Sequence, residues 1–134
     1  MITPGHSTPQ DAEAGLIKGE LANNWAEACS YLVPSSQATC QSAAQARELP
    51  TLTGNAMVDS AVISGSDALV VVTGSMCSSS TGCLSNNVGS TGMPDTYVTF
   101  TQAYAQVLDN TSSTSLSPVP CIKINGQWFI NAAL

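Results

Sequence analysis

Positive charge is almost missing from this sequence. Of 134 residues only three are Lys or Arg, against nine Asp or Glu, for a net charge of −6. A surface that tracks nucleic-acid phosphates needs several clustered cations, and Lys18, Arg47 and Lys123 stand far apart in the chain. The same scarcity excludes electrostatic attachment to anionic lipid. Charge of either sign is rare, at 9% against about 25% in an average domain. Long hydrophobic runs are missing too. The longest, Ala68-Leu69-Val70-Val71-Val72, is strand-sized and falls well short of the ~18–20 residues of a membrane helix. The only histidine, His6, lies in a polar leader, so a Ser or Cys nucleophile finds no imidazole base in the body of the chain. No C-x-x-C pair is present, which removes the usual zinc templates. Gly82, Gly89 and Gly92 lack the strand–helix context of a phosphate loop. Neither a metal nor a cofactor is expected.

What remains is an ordinary apolar fraction, 43%, enough for one globular core at this length. Low charge with average hydrophobicity is the reverse of a disordered composition. Ser, Thr, Asn and Gln supply the polar surface, a composition common in exported proteins. Five cysteines are present. The Ser- and Gly-rich stretch between Cys77 and Cys83 reads as a short loop closed by a disulfide, and Cys29 with Cys40 as a second bridge. Cys121 is left over, at the start of a strand-like run. Two bridges imply an oxidising compartment. Met1 to Gln10 contain no apolar signal core; with the cysteines, this favours a mature extracytoplasmic protein, secreted or held at the envelope after signal removal.

Residues 1–7 read as a flexible tail, and 8–134 as one domain. Thr8-Pro9-Gln10-Asp11 is a helix start: a capping hydroxyl, a proline suited to the first turn and an acid near the positive helix end. Ala14, Ile17, Leu21, Trp25, Ala28 and Leu32 then follow at steps of three and four, an amphipathic stripe with a bend at Asn23-Asn24 and an end at Pro34. A shorter helix is expected from Ser35 to about Arg47. Met57 to Ile63 and Asp67 to Met76 read as strands around Ser64-Gly65-Ser66, the second central because it is apolar on both faces. Residues 73–94 read as a long loop with room for a strand beside it; 96–109 fit a helix face through Phe100, Ala103, Tyr104, Val107 and Leu108, and less well an alternating strand through Val98, Phe100, Gln102 and Tyr104. Cys121 to Ile130 is a β-hairpin turning at Asn125-Gly126, the pair that favours a type I′ turn. Helices first and strands afterwards predict an α+β fold with a mostly antiparallel sheet.

Asn24-Trp25-Ala26-Glu27-Ala28-Cys29, followed by Leu32, Pro34, Gln37 and Cys40, and the closing Ile124-Asn125-Gly126-Gln127-Trp128-Phe129-Ile130, resemble nuclear transport factor 2-like proteins of the cystatin-like cone superfamily. The small exported or lipid-anchored bacterial members are the most similar. The resemblance covers residues 8–47 and 118–131. It implies N-terminal helices packed in a curved, mostly antiparallel sheet, with a conical pocket at the wide end. A non-catalytic role follows as the first expectation: binding a small apolar molecule or an envelope partner protein, with Trp25, Tyr97, Phe100, Tyr104 and Trp128 lining the pocket. Relatives also include isomerases and dehydratases that use a pocket carboxylate as general base. Asp59 is the candidate for that role, because alternation places it with Met57, Ala61 and Ile63 on a mostly apolar strand face. A structural or assembly module, self-associating as a homodimer through the outer sheet face, is the third expectation.

Overall fold

The computed structural model describes residues 6–78, 82–85, 104 and 118–132. Among these residues it is a mixed α+β structure in which the helices α1 (Pro9–Leu21), α2 (Trp25–Cys29) and α3 (Pro34–Gln45) are followed by strands in two antiparallel sheets. These are β1 (Leu52–Gly54), β2 (Met57–Ser64), β3 (Asp67–Thr73), β4 (Ser75–Ser78), β5 (Gly82–Ser85), β6 (Val119–Ile124) and β7 (Gln127–Ile130). The larger sheet runs β2-β3-β6-β7, and the smaller runs β1-β4-β5.

Helix α1 starts as its sequence dictates. The Thr8 hydroxyl accepts the Asp11 N–H at 3.0 Å, with Pro9 in the first turn. It ends in a Schellman turn: Asn23 takes a left-handed φ of 55°, Asn24 N–H returns to the Gly19 carbonyl at 2.8 Å, and Asn23 N–H to that of Glu20 at 3.1 Å. The Asn24 side chain then caps α2 by accepting from Glu27 N–H. Pro34 opens α3 instead of merely closing what precedes it. A proline at the first helical position loses no hydrogen bond, and Val33, not Ser35, is the cap residue. Cys29 of α2 is bonded to Cys40 of α3. Close contact of α1 with α2 rests on glycine: a Cβ on Gly19 would lie 2.8 Å from the Ala28 backbone nitrogen. Gly19→Ala should therefore cost about 2 kcal/mol by overpacking, outweighing the ~1 kcal/mol gained in helix propensity. A urea titration measures the balance, seen as a fall in midpoint.

The buried stripe of α1 is rotated from the expected one. Ala14 is exposed and Leu21 half-buried, while Ala12, Glu13, Leu16, Ile17, Gly19 and Glu20 are buried. The apolar members pack with Ala68, Val70, Val72, Cys121, Trp128 and Ile130, which the strand register places on one face of the larger sheet. The opposite face of β3 is buried too, at Leu69 and Val71, as expected of a central strand.

The free edge of β7 is covered. Val33 N–H donates to the Ile130 carbonyl at 3.0 Å, Ile130 N–H to that of Tyr31 at 2.8 Å, and Trp128 N–H to that of His6 at 2.9 Å. These bonds satisfy backbone groups that an edge strand would otherwise expose. Within the tail expected to be flexible, His6 is accordingly buried. Its ring stacks on Tyr31 at 4.9 Å and meets Phe129 at 4.8 Å, and Nδ1 lies 2.8 Å from the Trp128 carbonyl. A carbonyl only accepts, so Nδ1 carries the proton. Polarity of this segment suggested mobility; an aromatic seat, one main-chain bond and one bond from its own ring hold His6.

The stretch from 73 onward, expected as loop, forms β4 and β5. Cys77 and Cys83 are direct cross-strand partners and form the second disulfide. Residues 86–94 lie outside the described residues. So does the expected helix over 96–109, apart from the helical Tyr104.

Candidate functional site

Two places in the structure hold chemistry that packing alone does not require. The first is the face of α1 turned to the sheet. Glu13 and Glu20 are seven residues apart, two helical turns, with Ile17 between them. Both are buried, at 5% and 8% exposure, in a chain with only nine acids. Among the described residues no hydrogen-bond partner meets Glu13 Oε2. Burial holds the Glu13 carboxyl well above the usual carboxylate range, and the charge of Glu20 raises it further. Burial pushes Glu20 up to about 7. Across the interface lies the Cys121 thiol of β6, fully buried and not in a disulfide. Burial, reinforced by the charge of Glu13, drives its pKa far upward. The thiol is therefore kept protonated, the opposite of an activated nucleophile. The sequence offered one signal for this pair, acids at positions sharing a helix face with Ile17. A search for apolar periodicity passes over it.

The second place is an open groove of about 670 Å³ between α2, α3 and the segment leading into β1. Trp25 and Leu49 provide apolar surface; Asn23, Gln45, Arg47 and Thr51 provide polar groups. The Trp25 ring is fixed by its indole N–H, which donates to the Pro50 carbonyl at 3.2 Å. Gln41 ties the two helices together by donating to the Ala26 carbonyl at 3.0 Å. The Cys29–Cys40 bridge fixes α2 against α3 from inside. Arg47 ends α3 in a second Schellman turn, with a left-handed φ of 58° and Glu48 N–H returning to the Ala43 carbonyl at 2.9 Å.

Of the aromatic residues expected to line one pocket, Trp25, Tyr104 and Trp128 are among the described residues, each in a different setting. Trp25 lines the groove. Trp128 is buried in the core, 6.0 Å beneath the Lys123 ammonium. The Tyr104 hydroxyl donates to the Cys121 carbonyl at 2.8 Å and accepts from Asn131 Nδ2 at 3.1 Å, and burial pushes its pKa up to about 12. It is a strut on β6. Tyr97 and Phe100 lie outside the described residues.

Asp59, the candidate general base, is exposed, and its carboxylate accepts only from the neighbouring Ser60 hydroxyl among the described residues. The cause is a bulge. Register along β3 passes from Val58 directly to Ser60, leaving Asp59 as the extra residue. Val58 and Ala61 then pack on the core, three apart instead of two. Simple alternation fails at that point, and the carboxylate turns outward.

Among the described residues no group of three or more His, Cys, Asp or Glu is placed to hold a metal, and no helix is long and apolar enough to cross a membrane. Comparison with family models, curated proteins and solved structures gives no match.

Proposed function

We propose that this chain is an extracytoplasmic binding domain, and that the groove over Trp25 holds its ligand. The observation that carries this reading is the groove itself. Its volume is that of a small-molecule site, ~300–1,000 Å³, and its aromatic wall is fixed by a hydrogen bond and its two helices by a covalent bridge. Preorganisation of this kind lowers the cost of binding. Two disulfides in a chain of this size support the oxidising compartment. Contact of α1 with β1, β2, β3, β6 and β7 supports the nuclear transport factor 2-like cone. The interface of α1 with the larger sheet is packed with side chains, which favours a ligand in the groove rather than in the hollow of a cone. Exposure of Asp59 weighs against the isomerase or dehydratase alternative.

An assembly role has one observation in its favour. Met57 and Val62 of the outer strand β2, paired with Thr73 and Leu69 on the sheet face turned away from α1, are 63% and 39% exposed, apolar surface that a second copy or an envelope protein would cover.

A small-molecule fragment screen read by amide and indole nuclear magnetic resonance tests the groove. Ligands should shift the Trp25 indole N–H and the amides of residues 23–26, 41–49 and 51, leaving the Trp128 indole unmoved. Ligands that cluster on another face would refute the assignment.

A further inference from the structure

The three non-glycine residues with left-handed backbone are Asn23, Arg47 and Asn125, among those described. Asn125 is accounted for by the hairpin turn. The other two line the same groove. Asn tolerates this conformation through its short polar side chain. Arg does not, and glycine is the residue that a Schellman turn favours at the position of Arg47. The helix end thus keeps a strained backbone and gains a guanidinium at the groove rim. Strain of this kind clusters at binding sites. The side chain is exposed, and no hydrogen bond or ion pair engages its guanidinium among the described residues. It is one of only three cations in the chain.

The other polar groups of the groove sort by whether they are already used. Asn24 is spent on the cap of α2, and its amide also holds the Glu27 carboxylate at 3.2 Å. That contact occupies the acid of α2. Glu48 follows Arg47 in the chain but does not line the groove. Asn23, Gln45 and Thr51 remain, two amides and a hydroxyl, beside the apolar surface of Trp25 and Leu49.

The geometry points to a ligand bearing a carboxylate flanked by hydroxyl or amide groups, its carboxylate paired with Arg47 and its less polar face on Trp25. This inference rests on the groove being the binding site and names the chemistry that the site takes. A planar guanidinium forks onto two carboxylate oxygens in a way that a neutral amide cannot reproduce. Amide and hydroxyl neighbours suit either a sugar acid or a peptide carboxylate.

Four probes separate these cases: glucuronate against glucose, and N-acetyl-Ala-Ala with a free carboxylate against its carboxamide. At least one acid should bind at the groove tenfold or more tightly than its neutral counterpart, read from the Trp25 indole and groove amides. The arm that responds identifies the source. Arg47→Gly should weaken the responding acid tenfold or more while raising the melting temperature by about 3–5 °C, because it relieves the left-handed strain. A variant that is more stable yet binds less well cannot be losing its ligand by unfolding. Arg47→Asn, neutral and tolerant of the same backbone, should also lose the acid. Equal binding of acid and neutral probes, or an acid indifferent to both substitutions, would overturn the carboxylate assignment and leave the groove standing. No groove response to any of the four would count against the groove as well.

Discussion

Replacing Glu20 by Gln makes the protein more stable at pH 8 and nearly unchanged at pH 5. In the folded state burial lifts the Glu20 carboxyl from 4.5 to about 7; unfolding returns it to its ordinary value. Between those two values the folded chain holds a proton that the unfolded chain has released. Stability therefore falls as pH rises through that window and levels off above it, the reverse of an acid held by a salt bridge. At about 1.4 kcal/mol per pH unit the wild type loses on the order of 3 kcal/mol from this one group. Glu13 moves in the same direction for the same reason, with Glu20 adding to it, so the double Gln variant has the flatter profile. Urea midpoints at pH 5 and pH 8 measure the difference. A wild type equally stable at both would mean that the two carboxyls are hydrated and that α1 does not press them against the sheet.

Loss of the Cys29–Cys40 bridge is the second large effect. The bond closes eleven residues of sequence and joins two cysteines that are both fully buried. Loop-closure entropy alone assigns it about 3 kcal/mol. The double Ala variant should melt about 10 °C lower. The damage should reach the groove, because α2 supplies Trp25 and Ala26 and α3 supplies Gln41 and Gln45. Heteronuclear spectra of the variant should show movement at those residues and little in the hairpin of β6 and β7. Breaking Cys77–Cys83 removes a shorter loop in the smaller sheet and should leave the groove spectrum unchanged.

What was legible in the sequence was local. The Thr8-Pro9 start of α1, the break at Asn23-Asn24, the central place of β3 and the Asn125-Gly126 turn each follow from a few neighbouring residues, and the structure has all four. What was not legible depended on partners distant in the chain. The stripe of α1 was read one position off because Ala14 and Leu21 are apolar, whereas the fold buries Glu13 and Glu20. The bulge at Asp59 arises from pairing with β3 and leaves no mark in β2 itself. His6 is buried by Tyr31 and Phe129, the latter more than a hundred residues away. The groove requires α2 and α3 to meet, and its arginine stands where turn chemistry would expect glycine.

Two bridges and one odd thiol in a single chain are the ingredients of scrambling: a free sulfur can attack a bond, release a new free sulfur and pass the error on. Cys121 lies fully buried in the larger sheet, and its proton is held by the same burial that hides it. Only the deprotonated form attacks. The folded chain thus keeps its cross-link pattern without help from a reducing or isomerising partner, and exchange becomes open to it only when the sheet itself comes apart.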